Sequence, residues 1–296
     1  MERRGPVHLP VLAREAMDIL KPERGGVYVD ATVGLGGHAG EMLRLMGGRG
    51  MLIGIDRDEE ALMVAAAALT PENVVLRHAS FSRIEDVLGE LRIDGANGIL
   101  FDLGVSMLQL KEPGRGFSFS SDEPLDMRMD RSVGVSARDV VNTYSQERLT
   151  QILRDYGEER HAAKIARAIV ARRREKPIET CRELARIAAW AYGGAGRQRI
   201  HPATRTFQAL RIEVNGELSE LEAGLDSSVR LLARGGRIAV ISYHSLEDRI
   251  VKHFFKKAAV EGQLQVLTKK PVRPMPDEVR GNPAARSARL RGAEKL

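Results

Sequence analysis

Three aspartates stand at matching places in the first third of the chain. Asp30 lies inside YVDATVGLGGHAG (Tyr28 to Gly40), Asp56 closes the apolar run MLIGID, and Asp102 closes GILFD. Gly34, Gly36 and Ala39 have the spacing G-x-G-x-x-[GA], which lets a backbone come close to a ligand. Asp56 falls 20 residues after Gly36, where a carboxylate can take the two hydroxyls of a ribose. NAD and S-adenosylmethionine both satisfy that pattern, since each carries an adenosine ribose. A P-loop is disfavoured, because no Lys-Ser/Thr pair follows the glycines to cradle a triphosphate. Asp30 favours the second ligand. A carboxylate beside the loop repels a pyrophosphate and attracts the sulfonium and ammonium groups of S-adenosylmethionine.

These carboxylates can act together only if parallel strands deliver them to one edge, because ligands of open α/β sheets sit at the carboxyl ends of the strands. The hydrophobic pattern supplies such strands. Val27–Ala31, Met51–Ile55, Val74–Leu76 and 98–101 read as strands, separated by helical stretches over Glu41–Met46, Glu59–Leu69 and Ile84–Leu91. An amphipathic helix containing Val11, Leu12, Met17, Ile19 and Leu20 precedes them and stops at Pro22. A further strand follows Gly235-Gly236 in RIAVISYH, then a helix over Leu246–Lys257. Two last strands are expected at Leu264–Thr268 and Ser287–Arg291. Alternating strands and helices predict an α/β fold with a parallel sheet covered on both faces.

Between residues 103 and 205 the rhythm breaks, and no buried strand is evident. A Gly/Pro/Ser-rich loop leads into helices marked by Leu149, Ile152, Leu153 and Tyr156, and by Ile165, Ile169 and Val170. A capping box at Thr180–Glu183 opens another helix, expected to end near Gly193-Gly194. A long helical stretch runs from Pro202 to about Ala233, with a break near Gly216. The expected division is therefore a cofactor-binding domain from 1–110 and 206–296, with an inserted helical substrate-recognition domain at 111–205.

Net charge is +6 over 296 residues but unevenly spread: −5 in residues 1–110, +6 in 111–205 and +5 in 268–296. Clustered basic charge suits a polyanion such as nucleic acid, and equally suits solvated helix faces with a basic tail. No apolar run is long enough to span a bilayer, and MERRGPVHLP lacks the apolar stretch of a secretory signal, so the expected location is the cytoplasm with no membrane partner. One cysteine, Cys181, excludes an internal disulfide and a cysteine-rich zinc site, and no metal is expected.

The blocks HLPVLAREA, YVDATVGLGGHAG, GIDRDEEAL, DLGVSMLQL, RGFSFSSDEPLDMRMD, YGEERHAAKIARAIV, HPATRTFQALRIEVNGEL, GGRIAVISYHSLEDRIVKHFF and NPAARSARLRGAEK together resemble the bacterial small-subunit ribosomal RNA cytosine-N4 methyltransferase family. The likeness runs from His8 to Lys295. It implies a class I, Rossmann-like S-adenosylmethionine-dependent methyltransferase sheet with an inserted helical domain. It further implies methylation of the exocyclic N4 amine of a cytidine in the decoding centre of 16S rRNA, on the assembled small subunit. The family's cofactor contacts fall on Gly36, Gly37, His38, Asp56, Phe81, Asp102 and Gln109, and Asp102 would also be catalytic. Met107 stands where the family usually has a second serine. Oligomeric state stays open, with a homodimer among the options.

Three of the implied residues also have a bland reading. Phe81 could wall the adenine or fill the core after the third strand; His38 could meet the cofactor or bond a helix end; Asp102 could face the ammonium or the amine, or cap its strand. Val105 occupies the place where DNA amino-methyltransferases carry a stacking aromatic, leaving Phe117, Phe119, Tyr243 and His244 as candidates to stack on the base. Carbon-5 methylation needs a cysteine nucleophile, and Cys181, just inside a helix cap, reads as packing. Arg115, Arg128, His201 and Arg205 are candidate RNA contacts. Arg172-Arg173-Arg174 spreads around a helix and reads as a solvated end. Arg286, Arg289 and Arg291 could touch RNA or keep an edge strand soluble. Two other functions share these features: a nicotinamide-dependent oxidoreductase, and a non-catalytic RNA-binding or ribosome assembly factor.

Overall fold

The computed structural model describes residues 10–70, 72–120, 122–132, 134–192 and 200–296. The chain separates into two units, Met1–Gly104 with Leu218–Leu296, and Val105–Glu217. The second unit is wider at both ends than the insert expected at 111–205.

The first unit is built on seven strands: β1 (Val27–Asp30), β2 (Met51–Asp56), β3 (Val74–His78), β4 (Ala96–Asp102), β5 (Leu232–Ser242), β6 (Leu264–Val266) and β7 (Arg289–Lys295). Their order is β3-β2-β1-β4-β5-β7-β6. Strands β1 to β5 are parallel, and β7 runs antiparallel to both neighbours. Order reverses between β1 and β4, the switch point at which α/β sheets open a crevice. This is the Rossmann-like arrangement expected of the sequence.

Alternation along the strands sends side chains to two cores. Val29, Ile53, Ile55, Ile99 and Phe101 pack with residues of α4 (Ile84–Glu90), α11 (Glu217–Leu231) and α12 (Ser245–Val260). Tyr28, Leu52 and Leu100 pack with residues of α1 (Ala13–Leu20), α2 (Gly37–Met46) and α3 (Glu59–Ala68). Continuous apolar strands follow from this burial on both faces.

Two expectations about the C-terminal strands need correction. The last strand begins at Arg289, not Ser287, and reaches Lys295. It lies between β5 and β6, so it is no edge strand. Arg289 and Arg291 instead form ion pairs with Asp248 at 3.0 and 2.7 Å, which removes solubility at an edge as their role. Those two guanidinium groups hold the Asp248 carboxyl below its ordinary range, overcoming the opposing effect of its burial.

The second unit is helical: α5 (Met107–Lys111), α6 (Ala137–Thr143), α7 (Gln146–Asp155), α8 (Ala162–Glu175), α9 (Cys181–Ala191) and α10 (Thr204–Asn215). Leu149, Ile152, Leu153, Ile165, Ile169, Leu184, Phe207 and Leu210 form its core. Its only β pairing among the described residues is the bridge Pro124–Thr180. Thr180 caps α9 as expected; the expected stop at Gly193-Gly194 lies outside the described residues. Gly216, in the left-handed region at φ 59°, separates α10 from α11. Helices α5 and α6 were not anticipated, because each is too short to show a period.

Candidate cofactor and active site

The parallel strands bring Asp30, Asp56 and Asp102 to one edge of the first unit, with Asp30 and Asp102 on either side of the switch point. The glycine loop wraps around them. Gly36 has φ 87° and precedes α2, and a Cβ there would press on Leu69 at 3.2 Å, so conformation and space both select glycine. Gly37 opens α2, and His38 follows it, buried to 5% exposure.

Asp56 is held by two backbone amides. Gly34 donates to Oδ2 at 2.8 Å and Asp58 to Oδ1 at 2.9 Å. Each oxygen keeps a second lone pair, so the carboxylate can still accept from a pair of hydroxyls. Burial raises its pKa, against the pull of those two amides.

Asp102 is fixed from three sides. Its backbone N–H donates to Thr32 Oγ1 at 2.7 Å, Tyr243 donates its hydroxyl to Oδ1 at 2.7 Å, and His38 Nε2 stands 3.3 Å from Oδ2. The last is an ion-pair distance without hydrogen-bond alignment, since both ring nitrogens of His38 lack an aligned partner. Burial alone would lower the His38 pKa, yet the carboxylates of Asp102, Asp30 and Glu278 reverse this and leave it raised. Burial, reinforced by Asp102, drives the Tyr243 phenol far upward, so it stays a donor. Tyr243 was expected as a base-stacking candidate; its hydroxyl is committed to Asp102.

Asp30 is 1% exposed, and its Oδ2 has no partner, while Oδ1 accepts from Thr32 N–H at 3.2 Å. Burial pushes its carboxyl up to about 7, partly offset by the neighbouring His38. A buried carboxylate with a vacant oxygen gains most from a cation. Its charge is nevertheless weaker at neutral pH than its residue type suggests.

Phe81 is half-buried behind β3, with its ring edge-on to Phe101 at 5.5 Å and the Arg57 guanidinium 5.8 Å from its centroid. Arg57 is held by Glu220 at 3.3 Å and Ser80 at 3.1 Å. So Phe81 fills the core edge and borders the same strand ends. Gln109 lies in the second unit, where its side-chain oxygen accepts from Ser106 N–H at 3.0 Å and closes the capping box of α5. That bond orients Gln109 as a helix cap.

Other expectations separate cleanly. Arg115 is 1% exposed and donates to the Met129 carbonyl at 3.0 Å, so it is a structural anchor and no RNA contact. Arg128 is paired with Asp126 at 2.8 Å, and Arg205 reaches the Glu158 carbonyl at 2.9 Å. Phe117 is in the core; Phe119 is half-buried, stacked on His201 at 4.4 Å and edge-on to Phe207. His244 caps α12, pairing with Glu247. Arg172 pairs with Glu175 and Arg173 with the Val141 carbonyl, leaving Arg174 exposed. Cys181 donates its thiol to the Gly116 carbonyl at 3.2 Å, and burial pushes it up to about 12, which leaves no thiolate for attack.

Sequence reasoning missed Thr32 as the anchor of Asp102, because one hydroxyl within a glycine loop carries no signal of its own. Glu247, which accepts from the Tyr243 N–H at 2.8 Å, was visible as an acid in a helix first turn but not as the support of Tyr243.

The model of the MraW methylase family matches residues 6–296. "Ribosomal RNA small subunit methyltransferase H" of Caldicellulosiruptor saccharolyticus is 48% identical over 305 residues, covering 98% of this chain and 99% of that protein. The protein of the same name from Geotalea uraniireducens is 50% identical over 307 residues, covering 98% of each. A third, from Persephonella marina, is 49% identical over 292 residues, covering 98% and 99%.

Proposed function

The chain belongs to the MraW methylase family, and from that premise we propose that it methylates small-subunit ribosomal RNA with S-adenosylmethionine, at the exocyclic N4 amine of a decoding-centre cytidine in the assembled subunit. The observation that carries the reading is the trio Asp30, Asp56 and Asp102 at adjoining strand ends, around a glycine loop without a phosphate-binding lysine. The donor set fits a cationic cofactor: Oδ2 of the buried Asp30 has no hydrogen-bond partner. Asp56 would hold the ribose hydroxyls, the backbone at Gly36 and Gly37 would approach the methionine end, and Phe81 would border the adenine. The cofactor supplies a methyl group made electrophilic by its sulfonium.

The lone pair of a cytosine N4 is delocalised into its ring, so the chain must orient the amine and relieve it of a proton. Asp102 is suited to both. Tyr243 holds the carboxylate and Thr32 the backbone N–H of the same residue, and the carboxylate's remaining lone pairs can accept the amine N–H bonds. The Leu103 and Gly104 carbonyls follow Asp102 in sequence and offer further acceptors. No step requires a cysteine, in keeping with the inert Cys181 thiol.

The test is incubation of undermethylated small subunits with the protein and S-adenosylmethionine carrying a deuterated methyl, followed by mass spectrometry of the nucleosides. The expected product is labelled N4-methylcytidine, lost with Asp102→Ala. Label on carbon 5 would overturn the target atom. Full labelling by Asp102→Ala would overturn the role of Asp102, and no label with either protein would leave an assembly factor as the better reading.

A further inference from the structure

Helix α12 begins where β5 delivers Tyr243 to Asp102, and its charges are sorted by sign. Its two acids turn inward: Glu247 caps the helix, and Asp248 is bound to Arg289 and Arg291. Its basic side chains turn outward. Arg249, Lys252, His253, Lys256 and Lys257 are all exposed, at spacings of three, four, seven and eight from Arg249. At 100° per residue they occupy an arc of about 140°, opposite the buried Val251, Phe255 and Ala258. Val260, 82% exposed, ends the same shallow groove that His253, Lys256, Lys257 and Glu261 line. Lys257 lies 3.9 Å from Glu261 and is partly neutralised by it.

A helix dipole favours cations only in its last turn, so it does not account for Arg249 and Lys252. Overall composition conceals the stripe as well, because the acids that balance it in the sequence are spent inside the fold. Lys252 and Lys256 are separated by about 6 Å of helix rise, of the order of the distance between successive phosphates of a strand.

We propose that the outer face of α12 docks the sugar-phosphate backbone of the substrate ribosomal RNA, with Lys252, His253 and Lys256 at its centre. The inference rests on the proposed function for the identity of the polyanion and adds the surface that receives it. Phosphate contacts of this kind fix register and orientation while carrying no sequence information.

The decisive variant is Lys252→Glu/Lys256→Glu, beside a control, Arg24→Glu/Arg234→Glu, that makes the same charge change near the amino ends of the strands, where both arginines are exposed. Binding to protein-free 16S rRNA and to intact small subunits is measured against salt concentration, with calorimetry of S-adenosylmethionine and thermal unfolding as checks on folding. The α12 variant should lose tenfold or more in RNA affinity, and its salt slope should shrink by about 1.5, since each phosphate contact contributes about 0.7 to 0.9. The control should stay within about twofold of wild type, since charges far from the contact are screened. Cofactor affinity and melting temperature should be unchanged in both. Equal affinity and salt slope in wild type and α12 variant would overturn the proposal. So would a loss confined to intact subunits, which would assign the stripe to an acidic ribosomal protein. Normal stripe dependence without cytidine methylation would instead sink the proposed function and leave the docking surface standing.

Discussion

Asp30→Asn should make the protein more stable and a poorer binder of its cofactor. The substitution keeps the acceptor for Thr32 N–H and removes the charge from a site that is 1% exposed. Raising a carboxyl from its ordinary 3.8 to about 7 costs the ionised form on the order of 4 kcal/mol, at 1.36 kcal/mol for each tenfold change in proton affinity. Between those pH values the folded chain binds more protons at Asp30 than the unfolded chain does. Its contribution is therefore complete below about pH 4 and is lost as pH rises through 7. Asp56 and His38, both raised, lose stability with rising pH in the same sense, and both remain in the variant, so the comparison is between the two proteins at each pH. Melting temperatures by calorimetry should nearly coincide at about pH 3.5 and separate by about 5 °C or more at about pH 8, since 1 kcal/mol shifts a domain of this size by about 2 to 4 °C. S-adenosylmethionine affinity at pH 8 should fall about tenfold, equivalent to 1.4 kcal/mol. A separation that does not grow with pH, or a variant that binds the cofactor as wild type does, would refute the idea that Asp30 is an ionisable acid held for a cation.

Tyr243→Phe removes a 2.7 Å hydrogen bond to Asp102, and bonds to charged groups are worth about 1.5 to 3 kcal/mol. Single-turnover methyl transfer should slow by roughly 10- to 100-fold with cofactor affinity within threefold; an unchanged rate would contradict the positioning role. Asp102→Asn keeps the shape but weakens the acceptor, and labelled-methyl incorporation should drop by about 10² or more, the scale of general base catalysis. Cys181→Ala should leave the methylation rate unchanged, and a large loss would revive thiol chemistry.

The strand ends were legible from sequence because each aspartate closes an apolar run of strand length, and the sheet then had to bring them together. The glycine loop was legible from spacing. The C-terminal strands were less so. RSARLRGAEK alternates weakly, and only pairing with β5 and β6 fixes its start at Arg289. Tail arginines looked like free charge because Asp248, 41 and 43 residues away, sits in another element. Arg115 misled for a related reason: arginine in a polar loop reads as exposed, but here the Nη2 of a guanidinium that is 1% exposed donates to the loop carbonyls of Arg128 and Met129. The clamp on Asp102 joins residues 32, 38 and 243, and no local pattern encodes contacts at that separation.

Titration calorimetry with S-adenosylmethionine and with NADH, on wild type and Asp56→Ala, tests the carboxylate-lined cofactor site most directly. One equivalent of S-adenosylmethionine should bind per chain, at least tenfold more weakly to Asp56→Ala, with no heat from NADH. Binding of NADH, or S-adenosylmethionine binding indifferent to Asp56, would contradict it.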